Sequence, residues 1–268
     1  MTAGFDSSMP NMARVYDYLL GGKDHFPADR EEAGRLLAIY PPLTAMVKEN
    51  RAFLVHAITW AAGQGVGQFI DLGAGLPTVQ NTHEVARAVN PAARVAYVDT
   101  DPVVLAHTRA LLATSDGVTA VAADLRDPAA VLADAELRAV IDPAAPVVII
   151  LGAVLHFLDT DAARQVTAGY AQLMAPGSCL VISVAHYDDE ALGKRLAAEY
   201  TAATWHNHSR TDIMSFFAGL ELVGPGLTEA QTWRAWMPEP VVRRRDGHVL
   251  AGVGRAVRNV RRLPRSSS

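Results

Sequence analysis

The chain has 268 residues, of which half are hydrophobic and 19% are charged, a composition typical of globular proteins and a length sufficient for one large α/β domain. The net charge of −4 argues against general affinity for nucleic acid, and the longest apolar run, residues 146–158, is too short to cross a membrane as a helix. Its single cysteine, Cys179, excludes an internal disulfide and suits a reducing compartment, and the first ten residues show no signal-peptide pattern, so we expect a cytoplasmic protein.

The first quarter of the chain is predicted to be helical. Apolar residues recur at helical spacing in NMARVYDYLL, ADREEAGRLLAIY and LTAMVKENRAFLVHAITWAAGQG. Each segment ends at helix-stopping residues: Gly21-Gly22, Pro41-Pro42 or the closing glycines. We assign residues 1–62 to an N-terminal helical cap and residues 63–268 to a ligand-binding domain, the two forming one integrated globular unit.

From residue 68 the chain alternates between short apolar strands and helices. Strands are predicted in QFIDLG, ARVAYVD, VTAVAAD, PVVIILG and SCLVISVA, and a helical pattern follows each of the first four. Strict alternation of this kind predicts a doubly wound sheet in which these strands are parallel.

The alternation weakens after His186. DDEALGKRLAAEYTAATW and TDIMSFFAGL are predicted as helices, and LELVGPGL and HVLAGVGRAV as two strands that form an antiparallel hairpin at one edge of the sheet. The predicted fold class is therefore α/β, with a doubly wound, mostly parallel, seven-stranded Rossmann-like sheet. Between the two last strands, Trp233, Trp236 and Met237 either line an apolar pocket or, as we favour, cover the sheet edge.

Arginine is concentrated at the C-terminal end of the chain. Residues 241–268 contain eight Arg and one Asp, a net charge of +7, so the other 240 residues carry −11 of the total of −4. We interpret this segment as a solvated edge strand followed by a frayed tail.

The segment FIDLGAGLPT holds the glycine turn that follows the first strand. A dinucleotide fingerprint needs glycines at positions one, three and six of the turn. Gly73 and Gly75 fill the first two positions, but Thr78 stands at the third. Asp71 precedes the turn, where a carboxylate would repel a pyrophosphate and attract an amino group. These residues disfavour a nicotinamide-dependent oxidoreductase.

Acidic residues also end the next two strands. Asp99 ends the second strand, where a carboxylate can accept hydrogen bonds from two ribose hydroxyls, and Asp124 ends the third. Because the carboxyl ends of parallel strands share one rim, three carboxylates should line one cleft. Such a cleft suits a cationic ligand with hydroxyls and amines better than one with two phosphates. Asp124 is also placed to cap the helix predicted over residues 128–141.

The ordered set DLGAG, VDTD, AADL and IILGAVLHFL resembles the class I S-adenosylmethionine-dependent methyltransferases. PNMARVYDYLLGGKDHFPADR, with DLGAGLPTVQNTHEVA, YVDTDPVVLAH and ADLRDP, more closely resembles an actinomycete family of predicted S-adenosyl methyltransferases of undefined substrate. Matches are dense from Pro10 to Leu158 and thinner through FFAGLELVGPG and AGVGR. Pro77 departs from the small residue that many class I members have in this turn.

The resemblance implies a role for each matching residue toward S-adenosylmethionine. Asp71 would lie beneath its amino group, Asp99 would hold its ribose hydroxyls, and the Gly73, Ala74 and Gly75 backbone would approach its methionine part and ribose. The remaining implied contacts are Thr100 beside the adenine, Asp124 and Leu125 at the adenine edge, and Gly152 and Ala153 on the methyl-donor side.

The resemblance also implies that RVYDYLLGGKDHF folds over the cofactor. Tyr16 or Arg14 would then lie near the cofactor carboxylate, and Gly21 would belong to the covering segment or simply stop a helix. His156 follows the fourth strand and is a candidate general base, with a packed structural histidine as the alternative. His206 and His208 would diverge on a helix, so no metal site is predicted.

The sequence thus predicts a methyltransferase that uses S-adenosylmethionine and an unidentified small-molecule acceptor, without a membrane or nucleic-acid partner. A protein that binds S-adenosylmethionine as a sensor or scaffold is the alternative, and an NAD-dependent oxidoreductase is less favoured. The sequence makes no prediction of oligomeric state.

Overall fold

The computed structural model describes residues 6–233 and 246–257. Trp236, Met237 and every arginine of the basic tail except Arg255 lie outside these ranges, so the predictions made for them do too. Within the described part, no helix combines the length and hydropathy needed for a transmembrane span.

Ten α-helices and eight strands occur in the described ranges. The helices are α1 Met12–Leu20, α2 Pro27–Ile39, α3 Leu43–Gly63, α4 Thr82–Val89, α5 Pro102–Leu111, α6 Pro128–Ala133, α7 Ala135–Val140, α8 Thr160–Leu173, α9 Glu190–Glu199 and α10 Arg210–Ser215. The strands are β1 Gln68–Leu72, β2 Arg94–Asp99, β3 Val118–Ala122, β4 Val148–Gly152, β5 Cys179–His186, β6 Glu221–Leu222, β7 Thr228–Glu229 and β8 His248–Arg255.

The strands form one sheet in the order β3-β2-β1-β4-β5-β8-β6, with β7 also paired to β8. Strands β1 to β5 are parallel, whereas β8 runs antiparallel to β5 along eight residue pairs. The chain builds the sheet outward from β1 in two directions: β2 and β3 lie on one side of β1, and β4 and β5 lie on the other. In open parallel sheets this switch point is where ligands bind, beyond the carboxyl ends of the strands.

Alternate residues of a strand point to opposite faces of the sheet. Here the side chains on both faces are apolar, and helices cover both faces. Phe69 of β1 and Val148 of β4 belong to a core shared with α1–α4. Their neighbours Ile70 and Ile149 belong to a second core shared with α6–α8 and α10. Phe53 of α3 is fully buried in the first core, so the N-terminal helices share a core with the sheet.

The predicted α/β fold and its antiparallel edge are confirmed, but the strand count was wrong, because the described residues form eight strands instead of seven. The segment LELVGPGL was expected to be one strand. The Gly226 N–H instead donates to the Val223 carbonyl over 2.8 Å, and Gly226 has φ +90°. This turn divides the segment into β6 and β7.

Three predicted helices are shorter than expected. The helix predicted over TDIMSFFAGL ends at Ser215, because the N–H groups of Phe217 and Ala218 donate three residues back and form turns. The helix over residues 128–141 is divided into α6 and α7, because the Asp134 side chain accepts hydrogen bonds from the backbone of Glu136 and Leu137 and starts a new helix. Helix α9 ends at Glu199, and the next segment is anchored elsewhere, with the Thr201 backbone donating to Glu32 of α2.

Candidate active site

A cavity of about 690 Å³ lies at the carboxyl rim of the sheet, closed on one side by α1 and α3. This volume is in the range of small-molecule sites. Twelve of the residues selected from the sequence line it: Tyr16, Asp71, Gly73, Ala74, Gly75, Asp99, Thr100, Asp124, Leu125, Gly152, Ala153 and His156. Arg14 and Gly21 are not among the described residues that form its wall.

The glycine turn closes the base of the cavity. The N–H groups of Gly73 and Ala74 both donate to the Val98 carbonyl of β2, at 2.8 and 3.2 Å. Gly73 has φ +66°, and a Cβ atom there would lie 2.5 Å from Val154 Cγ1. Only glycine therefore fits at this position without movement, and its backbone stays open toward the cavity.

Asp99 fixes the turn from the end of β2. One carboxylate oxygen accepts from the Gly75 N–H at 3.1 Å and the other from the Asp101 N–H at 2.9 Å. Burial raises the pKa of Asp99, and these hydrogen bonds oppose that effect. Because each carboxylate oxygen has two lone pairs, both can still accept a ligand hydroxyl.

Asp71 lies at the end of β1 and faces the same space. Its carboxylate accepts a hydrogen bond of 2.6 Å from the Thr82 hydroxyl. Burial raises the pKa of Asp71 to about 6, with the negative charge of Asp99 adding to the shift and the positive charge of Arg51 opposing it. A bound cation would stabilise the ionised form.

Asp124 is the most accessible of the three strand-end carboxylates. Its side chain forms a two-oxygen contact with the guanidinium of Arg126, which lowers the pKa of Asp124. The N-cap of α6 is Asp127 instead, whose side chain accepts from the Ala130 N–H. Leu125 is held by its carbonyl, which accepts from the Tyr170 hydroxyl at 3.1 Å.

Gly152 and Ala153 form the cavity wall at the end of β4, the strand next to β1. A Cβ atom at Gly152 would lie 3.0 Å from Leu54 of α3, so the strand end and helix are in close contact. Ala153 has φ +58°, a conformation rare for residues other than glycine. Its N–H is held by Ser183, through the carbonyl at 3.0 Å and the hydroxyl at 3.1 Å.

Tyr16 and Arg14, the two residues of α1 considered for the cofactor carboxylate, differ in position. Tyr16 lines the cavity, and its hydroxyl accepts a hydrogen bond of 2.8 Å from Asn50 of α3. Arg14 is buried and its guanidinium binds Asp29 of α2 at 2.8 Å, so it joins two helices. Gly21 is the left-handed C-cap of α1, with φ +83°.

Sequence reasoning missed two polar residues of α3 that line the cavity. Arg51 donates to the Gln80 carbonyl at 2.9 Å and is close enough to influence the pKa of Asp71. Asn50 has a buried Oδ1 atom without a hydrogen-bond partner among the described residues. A buried acceptor of this kind usually has a partner, such as a ligand donor.

The far end of the cavity contains a group of aromatic rings. We call it the aromatic chamber and define it by His156, Phe157, Tyr187, Tyr200 and Trp205. Tyr187 and Trp205 meet edge to face at 5.2 Å, whereas Phe157 and Tyr200 are stacked at 5.9 Å. Trp233 lies elsewhere, packed edge-on against Phe53 of α3, and covers the core without lining the cavity.

His156 is buried on a short 3₁₀ turn, residues Leu155–Phe157, directly after β4. Its Nδ1 atom is buried, and no described residue forms a hydrogen bond with it. Burial lowers the pKa of His156 to about 3, and the nearby imidazole of His208 adds to the shift. The side chain is therefore a neutral imidazole at pH 7.

His208 differs from His156 because both of its ring nitrogens contact the protein. Nδ1 lies 3.0 Å from the Thr160 hydroxyl and Nε2 3.1 Å from the Leu155 carbonyl. His206 stacks on it at 6.3 Å. In residues 6–233 and 246–257, no three His, Cys, Asp or Glu side chains are grouped so that they could hold a metal ion.

A family model described as S-adenosyl methyltransferase matches residues 1–257. The structure is similar to that of a proposed methyltransferase from Thermobifida fusca YX, with 41% identity and a TM-score of 0.85 over 94% of this chain and 97% of that one. It is also similar to a DUF574 family protein from Streptomyces avermitilis MA-4680, with 34% identity and a TM-score of 0.86 over 93% and 98% of the two chains. No match was found among curated proteins.

Proposed function

Because the chain belongs to a family of S-adenosyl methyltransferases, we propose that it transfers the methyl group of S-adenosylmethionine to a small molecule held in the same cavity. The main support for this proposal is that the cavity is continuous. One space of about 690 Å³ contains both the carboxylate rim and the aromatic chamber. A donor at the rim and an acceptor in the chamber would lie side by side, away from water.

The carboxylate rim suits the nucleoside half of the donor. Asp99 has free acceptor capacity for two ribose hydroxyls, and Asp124 can accept from the exocyclic amine of adenine. At Gly73 and Gly152 a side chain would collide with Val154 or Leu54, so glycine at these two positions lets the protein segments that form this wall pack closely together. Thr100, Leu125, Ala74, Gly75 and Ala153 complete this wall.

The amino-acid half of the donor carries an ammonium and a carboxylate, and the cavity has groups for both. Asp71 and the unpartnered Asn50 Oδ1 are acceptors for the ammonium. Arg51 and the Tyr16 hydroxyl are donors for the carboxylate, since the Tyr16 oxygen already accepts from Asn50 and keeps its own proton available. When bound, the donor supplies an activated sulfonium methyl group, so the protein's task is alignment and exclusion of water.

Calorimetric titration of the full chain with S-adenosylmethionine, S-adenosylhomocysteine and NAD tests the proposal. We expect saturable binding of the two sulfur compounds and none of NAD. Asp99→Ala should abolish binding because it removes the ribose acceptor and the anchor of the glycine turn. Asp116→Asn, an exposed carboxylate before β3, is the matched control and should bind normally.

Incubation with methyl-labelled S-adenosylmethionine and a whole-cell extract, which is separated afterwards into small molecules, protein and nucleic acid, tests catalysis. Label in a low-mass product supports the proposal. Label only in protein or nucleic acid would contradict the small-molecule acceptor, and saturable donor binding without any labelled product would indicate a sensor or scaffold. Preference for NAD would indicate an oxidoreductase.

We further propose a cytoplasmic location. The support is Cys179, which is the single cysteine of the chain and lies buried in β5. A chain with no structural disulfide is compatible with a reducing compartment.

A further inference from the structure

The aromatic chamber defines the chemistry of its occupant. Resting on the function proposed above, we propose that the methyl acceptor is a neutral, largely apolar molecule carrying a hydroxyl on an aromatic ring, and that His156 removes the hydroxyl proton. His156 is then a catalytic residue, and the chamber determines acceptor specificity.

Charge is distributed unevenly along the cavity. The charged residues of its wall are located on α1, on α3 and at or just after the ends of β1–β3: Asp17, Arg51, Asp71, Asp99, Asp101, Asp124 and Arg126. The cavity-wall residues next to the aromatic chamber along the chain or the sheet are uncharged: Leu158, Ala185, Leu196 and Val249. An anionic acceptor would lose its hydration there without gaining a counterion, which is costly. Glu32 and Asp29 are close enough to act on the pKa of Tyr200, but they already form ion pairs with Arg35 and Arg14, so a cationic acceptor would not gain a free counterion either.

The chamber instead offers flat rings and a few neutral polar groups. His156 lies edge-on to Phe157 at 4.4 Å and to Trp205 at 6.0 Å. Burial raises the pKa values of the Tyr187 and Tyr200 side chains well above the usual range of a tyrosine, so both phenols stay uncharged. Rings that meet edge to face or stacked favour a planar aromatic occupant.

His156 is the one chamber residue with the chemistry of a base. The Nδ1 atom of its ring is buried without a hydrogen-bond partner among the described residues, in contrast to His208 beside it, whose two ring nitrogens both contact the protein. A histidine that served only to hold the structure together would normally have its nitrogens satisfied. An unpaired, neutral imidazole in a cavity wall is ready to accept a proton from a bound hydroxyl.

The location of His156 matches the reaction centre. Val154, two residues before it, lies against Gly73, since a Cβ atom on that glycine would reach Val154 Cγ1 at 2.5 Å. The segment from Gly152 to Phe157 therefore lies over the glycine turn and continues into the chamber. A donor on the turn would present its methyl group toward the chamber side of this segment.

Methyl transfer and proton transfer occur together in the proposed step. The acceptor oxygen forms a bond to the methyl carbon as the carbon–sulfur bond breaks, and the electron pair of that bond goes to sulfur, giving a neutral thioether. The hydroxyl proton moves to His156, which later releases it to water. The hydroxyl becomes strongly acidic only as its oxygen becomes bonded to carbon, so even a weakly basic imidazole can take the proton late in the step.

Three naphthalene probes of matched shape test the inference: 2-naphthol, the 2-naphthoate anion and the cation of 2-naphthylmethylamine. Each is titrated into the full chain saturated with S-adenosylhomocysteine. We expect 2-naphthol to bind at least about tenfold more tightly than either charged probe, because only the charged probes lose hydration without compensation. Equal binding, tighter binding of a charged probe, or no binding of any would overturn the acceptor class.

Methyl transfer to 2-naphthol tests the role of His156. In wild type we expect naphthyl methyl ether, and in His156→Gln a kcat about 100-fold lower, the usual contribution of a general base. S-adenosylhomocysteine affinity should stay unchanged. His107→Gln, on the outer part of α5 with its Nδ1 against the Val103 carbonyl, is the matched control and should keep full activity.

The outcomes separate this inference from the proposed function. A His156→Gln kcat within threefold of wild type, or 2-naphthol bound but never methylated, would overturn the assignment of His156. If S-adenosylmethionine still binds and label enters another small molecule, the proposed function survives that result. If His156→Gln fails to bind S-adenosylhomocysteine, His156→Phe, which keeps the aromatic volume, is measured in its place.

Discussion

The side-chain amide of Asn11 donates a hydrogen bond of 2.7 Å to the carboxylate of Asp101. Asn11 is the N-cap of α1 and Asp101 is the N-cap of α5, so one contact joins the starts of two helices on either side of the cavity. Asp101 also donates its N–H to Asp99. The position of α1 is thereby coupled to the strand-end carboxylate expected to hold the donor ribose.

Asn11→Ala tests this coupling. The variant loses the cap that accepts from Ala13 and Arg14 as well as the contact with Asp101, so we expect the free energy of unfolding to fall by about 1 kcal/mol. We also expect S-adenosylmethionine affinity to fall by about tenfold, equivalent to about 1.4 kcal/mol. Denaturant unfolding and calorimetry measure the two effects.

The control is Asp134→Ala, which removes the equivalent cap of α7 away from the cavity. It should lower stability by a similar amount and leave donor affinity unchanged. Equal loss of affinity in both variants would mean that stability, not the position of α1, governs binding.

Gly73→Ala should damage both the turn and the donor site. The new methyl group would lie 2.5 Å from Val154 Cγ1, in a backbone conformation of φ +66°, so we expect a loss of about 1–3 kcal/mol in stability. Adding Val154→Ala should restore part of the donor affinity by relieving the collision. Gly34→Ala, on α2 with no heavy atom within 4 Å of the new methyl, should instead stabilise the protein.

Donor affinity should depend on pH through Asp71. Only ionised Asp71 attracts the donor ammonium, and burial raises the pKa of this carboxyl to about 6. Affinity should therefore be full at pH 7 and fall as the pH decreases through 6, by up to about tenfold per unit. The groups that face Asp71 and modulate this response are Thr82, Arg51 and Asp99.

Titration calorimetry between pH 7 and pH 5 measures this dependence. Asp71→Asn should bind the donor more weakly at pH 7 and show a flatter profile, with the remaining slope due to Asp99. A variant profile as steep as that of wild type would exclude Asp71 as the titrating group.

Arg51→Met should weaken S-adenosylmethionine binding by about tenfold or more, because it removes the guanidinium proposed to face the donor carboxylate. Methylthioadenosine, which lacks the whole amino-acid part, should bind wild type and variant equally. Arg87→Met is the control, since Arg87 also donates to backbone carbonyls but lies outside the cavity wall. If Arg51→Met weakened the binding of S-adenosylmethionine and methylthioadenosine equally, Arg51 would act only by holding the loop that contains Gln80.

The parts of the site that follow the sheet could be predicted from the sequence. Parallel strands bring their carboxyl ends to one rim, so recognising β1, β2 and β3 was enough to place Asp71, Asp99 and Asp124 in one cavity. The glycine turn was equally readable, because glycine spacing after a strand reflects a backbone requirement.

The parts of the site contributed by helices could not be predicted in the same way. Tyr16 and Arg14 are two positions apart on α1, about 200° around the helix axis, so only one can face the cavity. The spacing of apolar residues identifies the buried face of α3. It does not show that Asn50 and Arg51 face a cavity instead of the core. The surroundings of the His156 ring are formed by residues distant in sequence, such as Trp205, so the sequence does not show whether the ring has a hydrogen-bond partner.

The position of β8 has a consequence for how the protein is made. Strand β5 pairs along eight residues with β8, which comes last in the chain among the described strands. During synthesis on the ribosome, β5 therefore has an open hydrogen-bonding edge until residue 255 has left the exit tunnel. Such an edge can pair with other nascent chains, so this sheet can be completed only after the ribosome has translated β8.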